Sequence, residues 1–184
     1  VLKQDIVTLH TPLTRTGEYP TYHLLDKKKL SALKENCILI NASRGSVIDN
    51  QALNDVLAER PDINVVLDVW ESEPEINQSL LDKITLPTPH IAGYSLNGKL
   101  NATEMICTDF CDYFSINNKD LSIVRKDKQT GLNLALDTSL TDLAFLTQLI
   151  LIAYPINRDK LKKDVSPGNF EKLRNSYQLR NEFK

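Results

Sequence analysis

An arginine, a glutamate and a histidine follow three successive apolar segments of the chain. Arg44 comes after the segment CILINA, Glu73 after NVVLDV, and His90 after TLPTP. A guanidinium can hold a carboxylate by two parallel hydrogen bonds, and an imidazole beside a carboxylate can take up or release a proton. Together these residue types can bind a carboxylic acid and move a proton on it.

Hydride transfer to or from a 2-hydroxy acid is the chemistry that these residues fit. Arg44 would orient the substrate carboxylate. A lysine could not do so in the same way, because its ammonium lacks the planar, paired N–H donors of a guanidinium. His90 would take the hydroxyl proton as a hydride leaves, and Glu73 would favour the charged imidazole and hold one tautomer. No side chain accepts a hydride, so the reaction requires a nicotinamide.

Each of these residues, taken alone, also has a structural interpretation. Polar residues at strand ends commonly lie in solvated turns or cap helices, and a single histidine is compatible with a buried structural role. Asp49 and Glu71, in the same two loops as Arg44 and Glu73, are open to both interpretations. Only the combination at one edge of a sheet indicates chemistry.

The apolar segments predict the strands of a parallel sheet. The run Ile6–Leu9, the segment CILINA and the segment NVVLDV are apolar without alternation. Helical segments separate them, one capped by Asp26 and one beginning near Asn50. This order is typical of strands that helices cover on both faces. Ligands of such sheets bind beyond the carboxyl ends of the strands, where the three chemical side chains fall.

Composition excludes several classes of protein. The 184 residues are 41% hydrophobic and 25% charged, which is typical of an ordinary globular chain. A formal net charge of -2 with interspersed signs offers no basic face to nucleic acid and no polybasic arm to a membrane. The longest apolar run, near residues 143–154, is too short for a membrane span. Three irregularly spaced cysteines fit a reducing compartment, which predicts a cytoplasmic protein.

A helix is predicted over residues 97–115, beyond the sheet. Asn101 and Glu104 have the spacing of a capping box at its start. Cys107 and Cys111 are four residues apart without a second pair of ligands, so both are predicted to be buried and inert. The helix carries an apolar stripe that is predicted to lie in the core: Met105, Ile106, Phe110, Tyr113 and Phe114.

No metal site is predicted elsewhere in the chain. His10 lies at the end of the first strand, and His23 is expected to be a surface or loop-packing residue; the two are not spaced as ligands. From about residue 121 the pattern changes. LNLALDTSL predicts a strand and a turn, LTDLAFLTQLILIAY an apolar helix, and PGNFEKLRNSYQLRNEF a second helix.

Three segments, NASRGSVIDNQAL, DVWESEP and PHIAG, resemble the signature segments of the D-isomer-specific 2-hydroxyacid dehydrogenases. The resemblance extends over almost the whole chain and is weak between about residues 117 and 141. It implies that Arg44, Glu73 and His90 are the catalytic residues, with His90 as proton donor or acceptor. It also implies the second half of a doubly wound, Rossmann-type parallel sheet, followed by a small α+β dimerisation domain.

Contacts with NAD and with the substrate are implied by the same resemblance. Asp68 can accept a hydrogen bond from the nicotinamide amide, and Gly93 permits close approach of the backbone. A buried turn cap at Asp68 and a simple turn at Gly93 remain alternatives. Tyr94 matches a substrate contact. The implied NAD contacts are Thr11, Ala42, Ser43, Arg44, Asp68 and Gly93.

The resemblance divides the chain into three parts. Residues 1–93 would form the C-terminal half of the NAD-binding domain, 94–120 a helix returning to the substrate domain, and 121–184 an incomplete dimerisation domain. None of the six glycines forms GxGxxG, so the phosphate-binding turn is expected upstream. The chain is therefore expected to be a fragment that neither binds NAD tightly nor turns over alone.

Three functions remain open at this point. The first is NAD-dependent oxidation of a small phosphorylated hydroxy acid by a homodimer. The second is the same reaction on another D-2-hydroxy acid such as glycerate, and the third is NAD sensing without turnover. The intact catalytic residues argue against the third. Tyr94, the loop around Tyr19 and the C-terminal segment favour the first, in which Arg174 and Arg180 are candidate phosphate contacts; a solvated helix face is their alternative.

Overall fold

The computed structural model describes residues 2–117 and 141–180. The strands are β1 Ile6–Leu9, β2 Ile38–Asn41, β3 Asn64–Leu67 and β4 Leu86–Pro87. The helices are α1 Lys27–Ser31, α2 Asn50–Glu59, α3 Gln78–Leu81, α4 Leu96–Tyr113, α5 Asp142–Ala153 and α6 Pro167–Asn175. The described residues also form two short 3-10 helices, Gly45–Val47 and Ile156–Asp159.

The four strands form one sheet in the order β1-β2-β3-β4, and every neighbouring pair is parallel. Ile38 in β2 is in register with Ile6 on one side and with Asn64 on the other. The predicted parallel α/β sheet is confirmed. Its carboxyl ends lie at one edge, so the loops after β2, β3 and β4 meet there.

The expectation that both faces of the sheet are covered is wrong for three strands. Burial alternates along β1, β2 and β3, and Ile6 and Ile38 are 57% and 37% exposed. The residues between them, such as Val7 and Leu39, belong to the core. Uniformly apolar strands predict cover on both faces, but in the described residues the core lies against one face.

Helices α1, α2 and α3 each begin at a side chain that accepts a backbone N–H. The carboxylate of Asp26 accepts from Lys29 at 2.9 Å, and that of Asp49 accepts from Ala52 at 2.9 Å. Asn77 does the same for α3. Such caps satisfy donors that the first helical turn leaves open. The predicted cap at Asp26 is confirmed.

Residues 157–178 form one compact unit together with residues 1–92. Leu161, Val165 and Phe170 are buried in the same apolar cluster as the sheet. The backbone N–H of Leu161 donates to the carbonyl oxygen of Pro87 at 2.9 Å. The division that the resemblance implies, with this segment in the part 121–184, stays a prediction.

The described residues of the second unit are 93–117, 141–156, 179 and 180. Helix α4 begins at Ser95, whose hydroxyl accepts the N–H of Gly98. The predicted capping box at Asn101 and Glu104 is therefore wrong, because both residues lie inside the helix. Cys111 is buried and Cys107 is half-buried, so the predicted burial holds for only one of the two thiols.

The apolar stripe of α4 is exposed, and its assignment to the core is wrong. Ile106 is 70% exposed and Tyr113 is 82% exposed, and in α4 only Cys111 is buried among the described residues. Helical periodicity identifies an apolar face but does not identify what covers it. The predicted helices in the C-terminal part are present as α5 and α6, and α5 also exposes large apolar side chains, with Leu143 at 76%. The strand predicted from LNLALDTSL lies outside the described residues.

Within the part of the chain that the structure describes, no helix has both the length and the apolar character needed to cross a membrane.

Candidate active site

Glu73 and His90, which the sequence analysis paired, are in direct contact. Nδ1 of His90 lies 2.7 Å from Oε2 of Glu73. The other carboxylate oxygen of Glu73 accepts the backbone N–H of Trp70 at 2.7 Å. Both side chains are largely shielded, with 25% and 18% exposure. The carboxylate is thus fixed by the loop after β3, and it fixes one ring nitrogen of the histidine.

Asp68 organises the loop that carries His90. Its Oδ1 accepts from the Thr88 hydroxyl at 2.6 Å and from the N–H of Ile91 at 2.8 Å, while its Oδ2 accepts from the N–H of Ala92 at 2.9 Å. These bonds hold His90 with a positive φ of 56°, which is uncommon for a residue other than glycine. The structure therefore shows the turn cap that the sequence left as an alternative, and the NAD contact of Asp68 stays a prediction.

Arg44 is exposed directly after β2, and a buried asparagine holds its backbone. Asn41 donates from Nδ2 to the carbonyl oxygen of Arg44 at 3.0 Å, and its Oδ1 accepts from the backbone and the hydroxyl of Ser43. Asn41 is completely buried. Sequence reasoning missed this residue because it lies within an apolar segment, although a polar residue at the end of a buried strand was the available signal.

Gly45 permits a close approach between the loops after β2 and β3. A Cβ atom at this position would lie 1.9 Å from the carbonyl oxygen of Trp70 and 2.6 Å from the backbone nitrogen of Glu71. No side chain fits in that space. Sequence analysis missed this role, since the contact joins residues that are distant along the chain.

His23 lies between two carboxylates. Its Nε2 is 2.7 Å from Oε1 of Glu71, and its Nδ1 is 3.6 Å from Oδ2 of Asp49. Ligand atoms of these three residues lie within 4.8 Å of one another, which is close enough for a metal ion. However, each carboxylate also accepts a backbone N–H at the start of α2, and the two nitrogens of His23 face different carboxylates. We therefore assign the cluster to hydrogen bonding between loops. This is a more specific role for His23 than the loop packing that the sequence predicts.

The predicted NAD contacts differ in their surroundings. The hydroxyl of Thr11 is buried and has no hydrogen-bond partner among the described residues, so it can take one from a bound molecule. Ser43 is buried and Ala42 is half-buried beside Arg44. These residues fit a cofactor at the carboxyl edge of the sheet.

Gly93 and Tyr94 belong to the second structural unit. Gly93 has φ of 79°, and a Cβ atom there would meet nothing within 4 Å, so the backbone conformation alone favours glycine. The ammonium of Lys99 lies 4.2 Å from the ring centre of Tyr94. The contacts predicted for these two residues with NAD and substrate stay predictions.

The two arginines proposed for the phosphate have structural roles in the described residues. The guanidinium of Arg180 stacks 3.6 Å from the ring centre of Tyr154. Arg174 lies in the last turn of α6, where a positive charge complements the helix dipole. Neither arginine shows the solvated helix face that the sequence left as the alternative, because both side chains are half-buried and Arg180 lies beyond α6. Their contact with a substrate phosphate stays a prediction.

Residues 1–92 match the family model described as the NAD binding domain of D-isomer specific 2-hydroxyacid dehydrogenases. The match covers half of the chain, and the chain belongs to this family. The parallel sheet, with its chemical side chains at the carboxyl edge, agrees with that assignment. NAD, the predicted cofactor, is the one that this domain binds.

Curated relatives make the resemblance more specific. The chain is 45% identical over 186 residues to the erythronate-4-phosphate dehydrogenase of Wigglesworthia glossinidia brevipalpis, a match that covers 100% of this chain and 49% of the relative. It is 43% identical over 188 residues to that of Proteus mirabilis, covering 100% and 50%. A shorter match to that of Pseudomonas entomophila reaches 56% identity over 107 residues, covering 58% and 28%. The chain thus spans about half the length of the first two of these relatives.

One solved structure supports the fold. The NADPH-dependent glyoxylate/hydroxypyruvate reductase of Sinorhizobium meliloti, in complex with NADP and malonate, superposes with a TM-score of 0.52 at 29% identity. The superposition covers 60% of this chain and 34% of the reductase. The described sheet is therefore of the type found in dinucleotide-dependent hydroxyacid enzymes.

Proposed function

We propose that the protein oxidises 4-phospho-D-erythronate with NAD to 2-oxo-3-hydroxy-4-phosphobutanoate, on the route to pyridoxal phosphate (vitamin B6). The name shared by the curated relatives supports this substrate. The observation that carries the proposal is the His90–Glu73 pair, with 2.7 Å between Nδ1 and Oε2, at the carboxyl edge of the sheet. A protein that only senses NAD has no need for a proton relay.

Arg44 holds the substrate carboxylate in this proposal. Its side chain is exposed, with Nη1 donating to the carbonyl oxygen of Ser43 at 2.6 Å, while its backbone is fixed by Asn41. Two parallel hydrogen bonds from the guanidinium fix the plane of the carboxylate. They thereby fix the orientation of the neighbouring carbon, C2. The C2 hydrogen can then face the cofactor while the C2 hydroxyl faces His90.

His90 takes the proton of the C2 hydroxyl as the hydride leaves C2. With Glu73 accepting from Nδ1–H, Nε2 is the nitrogen that is open to the substrate. The imidazolium formed in this step is stabilised by the adjacent carboxylate. In the reverse direction His90 returns the proton to the carbonyl oxygen, so one residue serves both directions.

NAD, when bound, supplies the hydride acceptor. The residues assigned to it are Thr11, the segment 42–44, Asp68 and Gly93, and the unsatisfied Thr11 hydroxyl supports this assignment. Tyr94 is assigned to the substrate. Arg44 lies in both groups, since it places the substrate next to the nicotinamide.

A cytoplasmic homodimer is the assembly that we propose. The three cysteines are free, which fits a reducing compartment. Helix α5, in the part that the resemblance assigns to dimerisation, exposes Leu143, Leu146 and Ile150 by 76%, 52% and 51%, and exposed apolar side chains of this kind favour association with a second copy. Neither nucleic acid nor a membrane is proposed as a partner.

NADH formation by the complete protein tests the substrate assignment. We expect turnover with 4-phospho-D-erythronate and much slower turnover with D-glycerate at equal concentration. Faster oxidation of D-glycerate would contradict the proposed substrate and retain the reaction type. NAD binding without turnover of either acid would contradict both and favour a sensor.

A further inference from the structure

Asn50 and Glu71 exchange two hydrogen bonds between the loops that carry the proposed catalytic residues. The backbone N–H of Asn50 donates to Oε2 of Glu71 at 2.9 Å, and the backbone N–H of Glu71 donates to Oδ1 of Asn50 at 3.1 Å. Each residue thus serves as donor and acceptor for the other. Two opposed bonds of this kind fix both the distance and the orientation of the two backbone segments.

We call the two hydrogen bonds between Asn50 and Glu71 the interlock. The side-chain amide of Asn50 extends this interlock toward Arg44. Its Nδ2 donates to the carbonyl oxygen of Ile48 at 3.0 Å and reaches that of Gly45 at 3.5 Å. Gly45 directly follows Arg44 and touches the backbone of Trp70. Asn50 is 5% exposed, so these bonds form away from solvent.

His23 connects a third loop to the same pair. Its ring nitrogen Nε2 donates to Oε1 of Glu71 at 2.7 Å, and its backbone N–H donates to the carbonyl oxygen of Ser46 at 2.8 Å. The Tyr22 ring stacks on the His23 ring, with 4.0 Å between the ring centres. Both oxygens of Glu71 are therefore used, one by α2 and one by the loop that follows β1.

The position of Glu71 links these contacts to the reaction. Glu71 lies two residues before Glu73, which holds His90, and Asn50 lies six residues after Arg44. The distance between the residue that holds the substrate and the residue that moves the proton is set by these two loops. Misplacement by about 1 Å in such a pair can lower a rate about 100-fold.

We propose that Asn50 and Glu71 are positioning residues that fix the separation between Arg44 and the Glu73–His90 pair. This inference rests on the proposed function, since it assigns the interlock a role in that reaction. Neither residue touches the substrate in this account. They affect catalysis by fixing the positions of the loops after β2 and β3.

Glu71→Ala and Asn50→Ala in the complete protein test the inference. We expect either substitution to lower kcat about 10- to 100-fold while the Kd of NAD is unchanged. The double variant should cost no more than the worse single one, because both changes break the same interlock. Glu71→Gln keeps an oxygen for the N–H of Asn50 and should retain more activity than Glu71→Ala.

The same substitution made in an Arg44→Ala protein distinguishes a positioning role of Glu71 from a general loss of structure. In Arg44→Ala protein, Glu71→Ala should lower the residual activity by a much smaller factor, because the group that it positions is already absent. Equal factors in the two backgrounds would overturn the inference. Glu75→Ala is the matched control, an exposed glutamate of the same loop whose removal should leave kcat unchanged.

Amide hydrogen exchange tests the interlock without relying on turnover. Glu71→Ala should speed exchange in residues 43–50 and leave exchange in β3 unchanged. Unchanged exchange in residues 43–50 would overturn the inference, whether or not the wild type oxidises the substrate. Inactive wild-type protein with faster exchange in the variant would instead refute the proposed function and, with it, the catalytic role of the interlock.

Discussion

Glu73 is the residue whose contacts say most about the chemistry. One oxygen accepts the N–H of Trp70 and the other faces Nδ1 of His90, so the carboxylate is oriented from both sides. A glutamine side-chain amide in place of the Glu73 carboxylate keeps one oxygen that can accept a hydrogen bond. The same amide presents N–H to the histidine and so favours the tautomer whose Nε2 carries a proton.

Glu73→Gln should therefore lower kcat about 100-fold or more, since Nε2 could no longer accept the hydroxyl proton. Steady-state kinetics with saturating NAD measure the effect. Glu75→Gln, in the same loop, serves as the control. A Glu73→Gln protein with wild-type kcat would show that the carboxylate does not orient the histidine.

Gly45→Ala should destabilise the protein by about 1–3 kcal/mol, because the new methyl group would overlap the backbone of Trp70. Thermal unfolding gives the change as a lower Tm. Gly168→Ala is the matched control, since a Cβ atom there meets nothing within 4 Å and the residue lies in a helix, where alanine is preferred. Equal Tm values for Gly45→Ala and the wild type would contradict the close approach.

The sequence predicted some of these residues and missed others for a physical reason. Arg44, Glu73 and His90 follow apolar segments, and the end of a strand can be located from such a segment. Asn50 and Glu71 are 21 residues apart and meet only after two strands pair. Contacts across loops are not encoded by local periodicity, so the interlock could not be predicted.

At the scale of elements, Arg60 and Asp62 join the end of α2 to the start of β3. The Arg60 guanidinium donates two hydrogen bonds to the Asp62 carboxylate, at 2.8 and 2.7 Å, and another to the carbonyl oxygen of Ser31 at 3.1 Å. The hydrogen bonds from Arg60, and then that from the N–H of Asn36, hold the pKa of Asp62 well below its usual value. The Arg60–Asp62 pair thus connects α1, α2 and β3.

Asp62→Asn should lower the free energy of unfolding at neutral pH. Because the folded-state pKa is lowered, the stabilisation is fully present above the unfolded-state pKa of about 4 and is lost as the pH falls toward the folded-state pKa. The difference between variant and wild type should therefore shrink below about pH 4. Urea unfolding at several pH values measures it, with Glu59→Gln as an exposed control. A difference that is constant down to low pH would contradict the assignment.

The elements themselves were largely predictable, and their environments were not. Apolar segments located the strands, and the cap residue Asp26 located the first helix. The start of α4 was predicted late, because Ser95 was not recognised as the cap. Its stripe was assigned to the core, because periodicity does not distinguish a core face from an exposed one.

At the scale of the whole molecule, residues 157–178 contribute to the core that supports the candidate site. Phe170 is 1% exposed and packs into the same cluster as the strands. The partners of this segment lie far away along the chain, so its packing against the strands was not predicted from the sequence. Long-range packing of this kind follows from the fold and not from local pattern.

Leu146→Asp should weaken self-association of the complete protein, because Leu146 is 52% exposed on α5, the helix that we propose as the surface between two copies. Placing a charge in an apolar interface leaves it desolvated and unpaired. Analytical ultracentrifugation measures the dimer population, with Tyr19→Ser as a control because Tyr19 is 80% exposed on another loop. An unchanged dimer population in Leu146→Asp would place the interface elsewhere.

His90→Ala in the complete protein tests the central claim most directly, by comparing the rate of NADH formation from 4-phospho-D-erythronate with that of the wild type. We expect kcat to fall about 100- to 10,000-fold, the usual contribution of a general base, while the Kd of NAD stays unchanged. A variant that keeps wild-type kcat would contradict the assignment of His90 as the proton acceptor, and with it the account of this site.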